Sequence, residues 1–126
     1  MKIIQTPNAP LPGGHYSQAI VHDGLVYVSG QLPIDPETRE RGRGSIREQT
    51  ELVLSNLAAI LEAAGSRRDR VLKVTIYLSD ISLWDQVNEV YTRFFREHRP
   101  ARAVVPTREL HYGVLIELDA IAAVAE

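Results

Sequence analysis

The sequence predicts an α+β fold, and three observations lead to it. Short β-prone runs stand near both ends of the chain, and two segments with the apolar period of a helix lie between them. In addition, the longest predicted strand is apolar on both faces. The 126 residues fit a single domain, residues 1–126. A chain of this length hides about two-thirds of its unfolded surface on folding, which is enough for a real core.

Composition excludes several classes of protein. The chain is 44% hydrophobic and 24% charged, as ordinary globular proteins are, and its net charge of −2 creates no field that would attract nucleic acid or an anionic membrane. It has no cysteine, which rules out disulfides, thiolate metal sites and a cysteine nucleophile. Residues 1–14 contain three prolines and no continuous apolar run, so we expect neither a signal peptide nor a membrane anchor. We expect a cytoplasmic protein with no membrane partner.

A β-hairpin is predicted first. Residues 17–22 and 25–29 are β-prone, and the dipeptide Asp23-Gly24 between them suits the positive φ angles of a type I′ turn. The following residues, 30–44, hold two prolines and three glycines, which break both helical and strand periodicity. This stretch is predicted to be a long surface loop, a type of segment that is often functional.

The first helix is predicted to begin after Ser45. Ser45 and Glu48 have the spacing of a capping box, in which each side chain bonds the other's backbone N–H. Gly65 is a typical C-terminal stop. The residues that share the apolar face are Ile46, Val53, Leu57, Ile60 and Ala64.

A half-buried strand and a second helix are expected next. In residues 71–78 the apolar residues Leu72, Val74, Ile76 and Leu78 alternate with more polar ones. Ser82 with Asp85 is then predicted to open a helix that Pro100 closes. The apolar face expected for this helix consists of Leu83, Val87, Val90, Tyr91 and Phe94.

The last two predicted strands are residues 101–105 and 114–124, joined by the loop 106–113. If they pair antiparallel about the middle of this loop, Arg102 lies directly opposite Glu117. From the residues alone, this pair is either a structural cross-strand ion pair or a site for a small carboxylate. Both faces of the second strand are largely apolar, and two helices cover only one side of a sheet. We therefore expect the other side to pack against copies of the chain.

Five ordered motifs resemble one known family. They read PLPGGHYSQAI at 10–20, VYVSGQLP at 26–33, VNEVYTRFF at 87–95, PAR at 100–102 and VLIELDAIA at 114–122. Together they resemble the Rid family, the RidA/YjgF-type enamine/imine deaminases that are also described as endoribonuclease L-PSP-like. The resemblance implies one mixed, mainly antiparallel sheet with two helices packed on one face, a chorismate mutase-like arrangement. It also implies a homotrimer whose sheets line a central barrel.

The resemblance also implies a site. Arg102 matches the family arginine that binds the substrate carboxylate, and Glu117 matches the glutamate that positions or activates the hydrolytic water. Val104 stands where many relatives have cysteine, so any substrate contact there comes from its backbone. Further family positions that line the cleft between subunits correspond to Tyr16, Ser29, Gly30 and Asn88.

The implied reaction is hydrolysis of an imine. In the family, 2-aminoacrylate tautomerises to 2-iminopropionate, whose C=N carbon accepts water to give pyruvate and ammonia. An imine is already electrophilic, so the resemblance implies neither a metal nor another cofactor. The chain differs from the usual pattern at Ala103, at Asp119 and in the loop 106–113, and its preferred substrate side chain therefore stays open.

Three other functions compete with this interpretation. A metal enzyme is disfavoured because His15, His22, His98 and His111 do not have the spacing of metal ligands. A ribonuclease or translation inhibitor would need a basic patch, for which the candidates are Arg39, Arg41, Arg43, Arg67, Arg68 and Arg70. Acidic residues interrupt both arginine runs and no aromatic platform stands among them, so a nucleic-acid partner is disfavoured. A non-enzymatic trimer that binds small ligands or acts as a holdase stays open.

Overall fold

The fold consists of six strands and two helices. A computed structural model describes residues 1–125; Glu126, the last residue of the predicted domain, lies outside the described residues. The strands are β1 (Lys2–Ile4), β2 (Ala19–His22), β3 (Leu25–Gln31), β4 (Val71–Leu78), β5 (Ala101–Pro106) and β6 (Ile116–Ala123). The helices are α1 (Ile46–Ala63) and α2 (Trp84–Phe95).

The strands form one mixed sheet in the order β1-β2-β3-β6-β4-β5. The pairing between β4 and β5 is parallel, whereas the other four pairings are antiparallel. Both helices contribute buried residues to the core on one face of this sheet. A mixed, mainly antiparallel sheet with two helices is thus confirmed.

The predicted hairpin is confirmed. Asp23 and Gly24 have φ angles of 49° and 77°, the left-handed values that a type I′ turn requires. However, β3 continues to Gln31, so the loop predicted from Gly30 begins two residues later. Strand β1, which pairs with β2, was not predicted, because its three residues are too few to show alternation.

Helix α1 also follows its prediction. The Ser45 side chain accepts the N–H of Glu48, and the Glu48 side chain accepts the N–H of Ser45, which completes the capping box. Gly65 ends the helical segment with a φ of 76°. The predicted apolar face, Ile46, Val53, Leu57, Ile60 and Ala64, is buried throughout.

Strand β4 departs from its predicted alternation at one end. The pairing of β4 with β6 shifts between Val71 and Lys73, so a bulge reverses the order of the faces there. Val71 is buried as a result, whereas Leu72 was wrongly placed in the core and is 48% exposed. From Val74 onward the alternation is as predicted.

The predicted start of α2 is wrong. Asp80, not Ser82, supplies the cap: its carboxylate accepts the N–H of Ser82 at 2.9 Å and opens a short 3₁₀ turn, after which α2 begins at Trp84. The buried aromatic at the end of the helix is Phe95, and Phe94 is only partly buried.

The predicted pairing of β5 with β6 is also wrong. Strand β4 lies between them, so Arg102 pairs with Val74 and Glu117 pairs with Tyr77. The cause is the crossover from β4 through α2 to β5, which brings β5 alongside β4 in parallel, as βαβ units do. Residues paired across a sheet share a face, and Val74 is buried beneath the helices. Arg102 therefore lies on the helix side of the sheet and Glu117 on the opposite side.

The face opposite the helices carries no element of the described chain. In β6 its residues are half-buried, whereas the residues between them are fully buried on the helix side. Ile3 on β1 and Tyr27 on β3, 64% and 44% exposed, are large side chains on this same face. On β6 itself this face carries two acids and two apolar residues, Glu117, Asp119, Ile121 and Ala123, so the predicted apolar character of the second face is met only in the second half of the strand. Neither helix among residues 1–125 is long and apolar enough to cross a membrane.

Candidate functional site

Arg102 is held by three side chains of helix α2, and we call these four residues the arginine group. Its Nη1 donates a hydrogen bond to Asn88 Oδ1 at 3.1 Å. Its Cζ lies 4.5 Å from the ring centroid of Trp84 and 4.9 Å from that of Tyr91. Trp84, Asn88 and Tyr91 recur at the i, i+4, i+7 spacing that places residues on one helix face. Two rings and an amide oxygen thus fix the position of the guanidinium.

Within the described part of the chain, the guanidinium of Arg102 has no carboxylate partner. None of the ion pairs formed within residues 1–125 includes it, and its side chain is exposed. A guanidinium has five N–H donors, of which Asn88 uses one. The remaining donors form the planar fork that binds carboxylates in a bidentate manner.

Tyr91 has a buried hydroxyl beside this arginine. The residue is 6% exposed, and its Oη makes no hydrogen bond of normal geometry within residues 1–125. Burial raises the pKa of this phenol, and the nearby positive charge of Arg102 opposes the increase. The hydroxyl therefore stays protonated at neutral pH and is a free donor.

Glu117 and Gly30 form the centre of a second set, the glutamate group, on the opposite face of the sheet. A Cβ on Gly30 would overlap Glu117 Oε2 and lie 3.3 Å from Cδ, so the missing side chain makes room for the carboxylate. Gly30 lies where the pairing of β3 with β6 shifts, between Val28 and Gln31. A bulge and a glycine together bring the Glu117 carboxylate against the backbone of β3.

The pKa of Glu117 is raised above its ordinary value. Partial burial is the largest cause, because it disfavours the charged form, and the negative charge of Asp119 adds to it. His111 lowers the same pKa by a smaller amount. The Tyr77 hydroxyl donates to Asp119 Oδ2 at 3.2 Å and so holds this second carboxylate. A carboxylate with a raised pKa is suited to accept and return a proton.

Ser29, next to Gly30 in β3, connects this strand to the N-terminal loop that carries Tyr16. Ser29 Oγ donates to the carbonyl of Ser17 at 2.6 Å, and its N–H donates to the carbonyl of Gln18 at 3.0 Å. The exposed Tyr16 comes directly before Ser17 in the chain, and its Oη accepts the N–H of Gly13 at 3.3 Å. The Ser29 hydroxyl thus fixes the loop that carries Tyr16.

The predicted site residues therefore fall into two sets within one chain. Asn88 lies with Arg102, and Val104 follows on the same side of β5 with its side chain packed against the core. Glu117 lies on the opposite face, with β4 between its strand and β5. The two strands are separated by two strand spacings, about 10 Å. One chain does not bring its own arginine and glutamate together.

Three residues of this region were not predicted as site residues. Trp84 and Tyr91 contact Arg102, and their helical spacing around Asn88 is the sequence signal that could have identified them. His111 influences Glu117 from the turn before β6, and no signal in the sequence marks it.

An aromatic residue does lie against one of the loop arginines, contrary to the prediction. Arg41 Cζ is 3.9 Å from the ring centroid of Tyr112, and the ring of His111 stacks on Tyr112 with centroids 3.7 Å apart. Tyr112 is distant in sequence from residues 39–43, which is why the sequence pattern missed this contact. The stack joins the loop before α1 to the loop before β6.

Metal-ligand geometry is not present in the described part of the chain. Across residues 1–125, no three histidine, aspartate or glutamate side chains converge in a way that could hold a metal ion.

Known proteins match this chain over nearly its whole length. The sequence profile of the family described as endoribonuclease L-PSP matches residues 6–124. The chain belongs to this family, which includes the YjgF/RidA proteins. A RutC family protein of Pyrococcus abyssi is 49% identical over 96% of this chain and 95% of its own length. The 2-iminobutanoate/2-iminopropanoate deaminase of Rattus norvegicus is 41% identical over 96% of this chain and 88% of its own.

A solved member of the L-PSP family has the same fold. The crystal structure of E. coli TdcF with bound serine is 36% identical to this chain and has a TM-score of 0.94, with coverage of 99% of this chain and 100% of that chain. The resemblance to the Rid family that the five motifs indicated is confirmed.

Proposed function

We propose that this protein hydrolyses small enamines and imines that carry a carboxylate, giving 2-keto acids and ammonia. The observation that carries the proposal is the guanidinium of Arg102, which Asn88, Trp84 and Tyr91 hold in place and which no acid among residues 1–125 neutralises. A fixed, unpaired guanidinium is a receptor for a carboxylate. The named deaminase among the relatives and the serine bound by TdcF, a molecule that has a carboxylate and a nitrogen on the same carbon, support this class of substrate.

Glu117 supplies the acid–base chemistry in this proposal. Its carboxylate accepts a proton from water as the oxygen attacks the C=N carbon of the protonated imine, which yields a tetrahedral carbinolamine. Glu117 then returns this proton to the amine nitrogen, the C–N bond breaks as the hydroxyl oxygen forms the carbonyl, and the hydroxyl proton passes to the departing ammonia, so that a keto acid and ammonium remain. The raised pKa of Glu117 favours the first transfer, because it makes the carboxylate a stronger base toward water, and the resulting carboxylic acid is still acidic enough to return the proton to an amine nitrogen.

We further propose that the site forms between copies of the chain. Arg102 and Glu117 face opposite sides of one sheet, so a substrate that contacts both needs the arginine group of one copy and the glutamate group of another. The half-buried face opposite the helices, with Ile3 and Tyr27 at its surface, offers apolar area for association. A homotrimer whose sheets line a central barrel provides three such sites.

The test is release of keto acid from freshly generated 2-aminoacrylate and from larger imino acids. The protein should accelerate release over buffer, and Arg102→Gln and Glu117→Gln should each lose most of the activity. Arg47→Gln is the matched control, since this exposed arginine pairs with Glu89 and belongs to neither group. Activity that stays at the buffer rate with every imine would refute the proposal.

The two-copy site has its own test. An equimolar mixture of the inactive Arg102→Gln and Glu117→Gln chains, unfolded and refolded together, contains some interfaces with both wild-type residues. Such interfaces should restore about a quarter of the wild-type activity if the copies mix at random, because each mutant is equally frequent at either side. If refolded mixtures stay as inactive as the separate variants, the site does not combine groups from different copies.

Ribonuclease activity is a second candidate, and the contact between Arg41 and Tyr112 favours it. An exposed tyrosine beside arginines is a feature of single-strand nucleic-acid binding, and the family description names an endoribonuclease. Cleavage of labelled RNA that Arg41→Gln with Tyr112→Leu abolishes, but Arg102→Gln does not, would support this function. RNA that stays intact with the wild-type protein would exclude it.

A further inference from the structure

A basic cleft lies beyond Arg102, where the end of α2 meets the start of β5. Its volume is about 430 Å³, within the range of pockets that hold small molecules. Six of its lining residues give it its chemical character: Tyr91, Phe95, Arg96, His98, Arg99 and Arg102. The cleft thus extends from the arginine group toward the C-terminal end of the helix.

The charge of this cleft is uncompensated. Its lining, as far as residues 1–125 form it, includes no aspartate or glutamate, and neither Arg96 nor Arg99 takes part in an ion pair within that range. Within residues 1–125, four arginines outside the cleft have carboxylate partners, Arg43, Arg47, Arg67 and Arg93, whereas the other five outside it have none, so what distinguishes the cleft is that three unpaired arginines line one cavity. Several positive charges around one cavity repel each other, and an anion between them removes that repulsion.

The backbone at Arg96 is unusual. Helix α2 ends there with a φ of 57° and a ψ of −121°, a conformation that is costly for a residue with a side chain. The cleft wall then continues through His98, whose Nε2 lies 2.6 Å from the carbonyl oxygen of Val71. This bond ties the segment between α2 and β5 to the sheet, so the cleft does not depend on a loose loop.

Tyr91 lines the same cleft, and within residues 1–125 its O–H meets no acceptor, although the Arg102 guanidinium lies against the hydroxyl oxygen. Buried hydroxyl groups are nearly always hydrogen-bonded, so an unpaired one at a cavity wall indicates a missing acceptor. The hydroxyl oxygen is closed off from solvent and Arg102 lies against it, so bulk water does not satisfy its O–H. An anion that draws the Arg102 guanidinium aside would uncover the hydroxyl and accept this hydrogen bond.

We propose that the cleft binds an oxyanion, the phosphate or carboxylate group of a small molecule, through Arg96, Arg99 and the Tyr91 hydroxyl. The guanidinium of Arg102 closes one end of the cleft. An anion in the cleft therefore either competes with a substrate carboxylate for Arg102, or it is a second anionic group of the molecule whose carboxylate Arg102 binds. Binding at this cleft does not require the deaminase reaction, and a binding measurement therefore tests it separately.

The experiment is a titration of the protein with inorganic phosphate and, separately, with citrate, which represent the two sources of an oxyanion. Calorimetry and amide chemical shifts monitor binding in each titration. Potassium chloride keeps the ionic strength constant. The wild-type chain should bind at least one of the two with saturation, with the largest shifts at residues 91–102. Arg96→Gln combined with Arg99→Gln should weaken binding about tenfold or more, because each charge-assisted hydrogen bond accounts for roughly a factor of ten.

Two comparison variants separate a site from general charge. Arg39→Gln combined with Arg108→Gln changes the net charge equally at exposed positions outside the cleft lining, and its affinity should stay within about twofold of wild type. Tyr91→Phe should weaken oxyanion binding without unfolding the chain, since it removes only the hydroxyl. The thermal midpoint of each variant verifies that it is folded.

Several outcomes would overturn the oxyanion site. These are the absence of saturable binding of both phosphate and citrate, an equal loss of affinity in the two double variants, and unchanged affinity in Tyr91→Phe. Binding of a single-stranded RNA oligonucleotide at residues 91–102, when neither small oxyanion binds, would also contradict a small-molecule site and would assign the cleft to nucleic acid.

Discussion

The carboxylate of Glu117 lies against the backbone of Gly30, in the space that any side chain at position 30 would fill. Strand β6 carries the glutamate, and the shifted pairing of β3 brings the glycine beneath it. Glycine therefore has a steric role here and not a conformational one, because Gly30 is not among the residues with positive φ. The position of the carboxylate depends on a residue that has no reactive group of its own.

Gly30→Ala is expected to impair catalysis more than substrate binding. The new methyl group displaces the Glu117 carboxylate from its place, while Arg102 on the other face keeps its contacts. A misplacement of about 1 Å in a catalytic group costs up to a hundredfold in rate, so kcat should fall strongly and KM should change little. Steady-state kinetics on an imino acid measure both.

Gly13→Ala is the control for this change. Nothing lies within 4 Å of a Cβ at Gly13, which also has no positive φ, so its activity and thermal midpoint should match the wild type. Equal kcat values in Gly30→Ala and wild type would show that the exact position of Glu117 does not matter.

The pH dependence of the reaction should shift when Asp119 loses its charge. The negative charge of Asp119 raises the pKa of Glu117, and Glu117 must be deprotonated to accept a proton from water. In Asp119→Asn this pKa falls, so the acidic limb of kcat/KM moves to lower pH. Tyr77→Phe, which removes the donor to Asp119 but leaves its charge, should shift the limb less. An acidic limb that stays in place in Asp119→Asn would mean that another group controls it.

Local elements were predictable from the sequence, whereas the sheet order was not. The capping box at Ser45 and the turn at Gly24 depend on residues that are close in sequence, so pattern alone identified both. The partner of β5 depends on the path of α2 across the sheet, which no local pattern contains. A symmetric hairpin between the last two strands was the simplest assumption, and the crossover contradicts it.

The candidate site was predictable in its members but not in its arrangement. The motifs singled out Arg102 and Glu117, yet their placement on opposite faces follows only from the position of β4. The ring of Trp84 beside Arg102 and the room that Gly30 provides are contacts between distant segments. Such contacts require the fold to be known first.

Glu117→Gln should stabilise the fold at neutral pH while it abolishes activity. The pKa of Glu117 is higher in the folded than in the unfolded chain, so the folded protein binds this proton more readily. At a pH below the pKa of Glu117 in the unfolded chain, this residue therefore costs no stability. At a pH above its pKa in the folded chain, the charged carboxylate exerts its full cost. Glutamine carries no charge and avoids the cost at every pH.

Thermal unfolding of wild type and Glu117→Gln between pH 4 and pH 8 measures this difference in stability. The range begins just below the ordinary pKa of glutamate, roughly 4.3. The variant should gain most at the upper end, and the two midpoints should converge as the pH falls. Because Glu117 is only partly buried, solvent screening keeps the gain small. A variant that is less stable than wild type at neutral pH would mean that the charged carboxylate contributes favourable contacts in the fold.

Trp84→Ala should weaken substrate binding through Arg102. The indole ring lies 4.5 Å from the guanidinium carbon, and a cation–π contact of this kind contributes about 0.5–2 kcal/mol, which corresponds to roughly twofold to thirtyfold in affinity. The carboxylate is bound before and during the reaction, so the loss should appear as a higher KM with a smaller change in kcat.

Trp84→Phe keeps an aromatic face beside Arg102 and should recover most of this loss, because phenylalanine supports a weaker cation–π contact of the same geometry. Thermal midpoints of both variants separate positioning from a packing defect, since Trp84 also contributes to the edge of the core. If Trp84→Ala and Trp84→Phe raise KM equally, the indole is needed for packing and not for its π face. If both leave KM unchanged, Asn88 and Tyr91 alone hold the arginine in place.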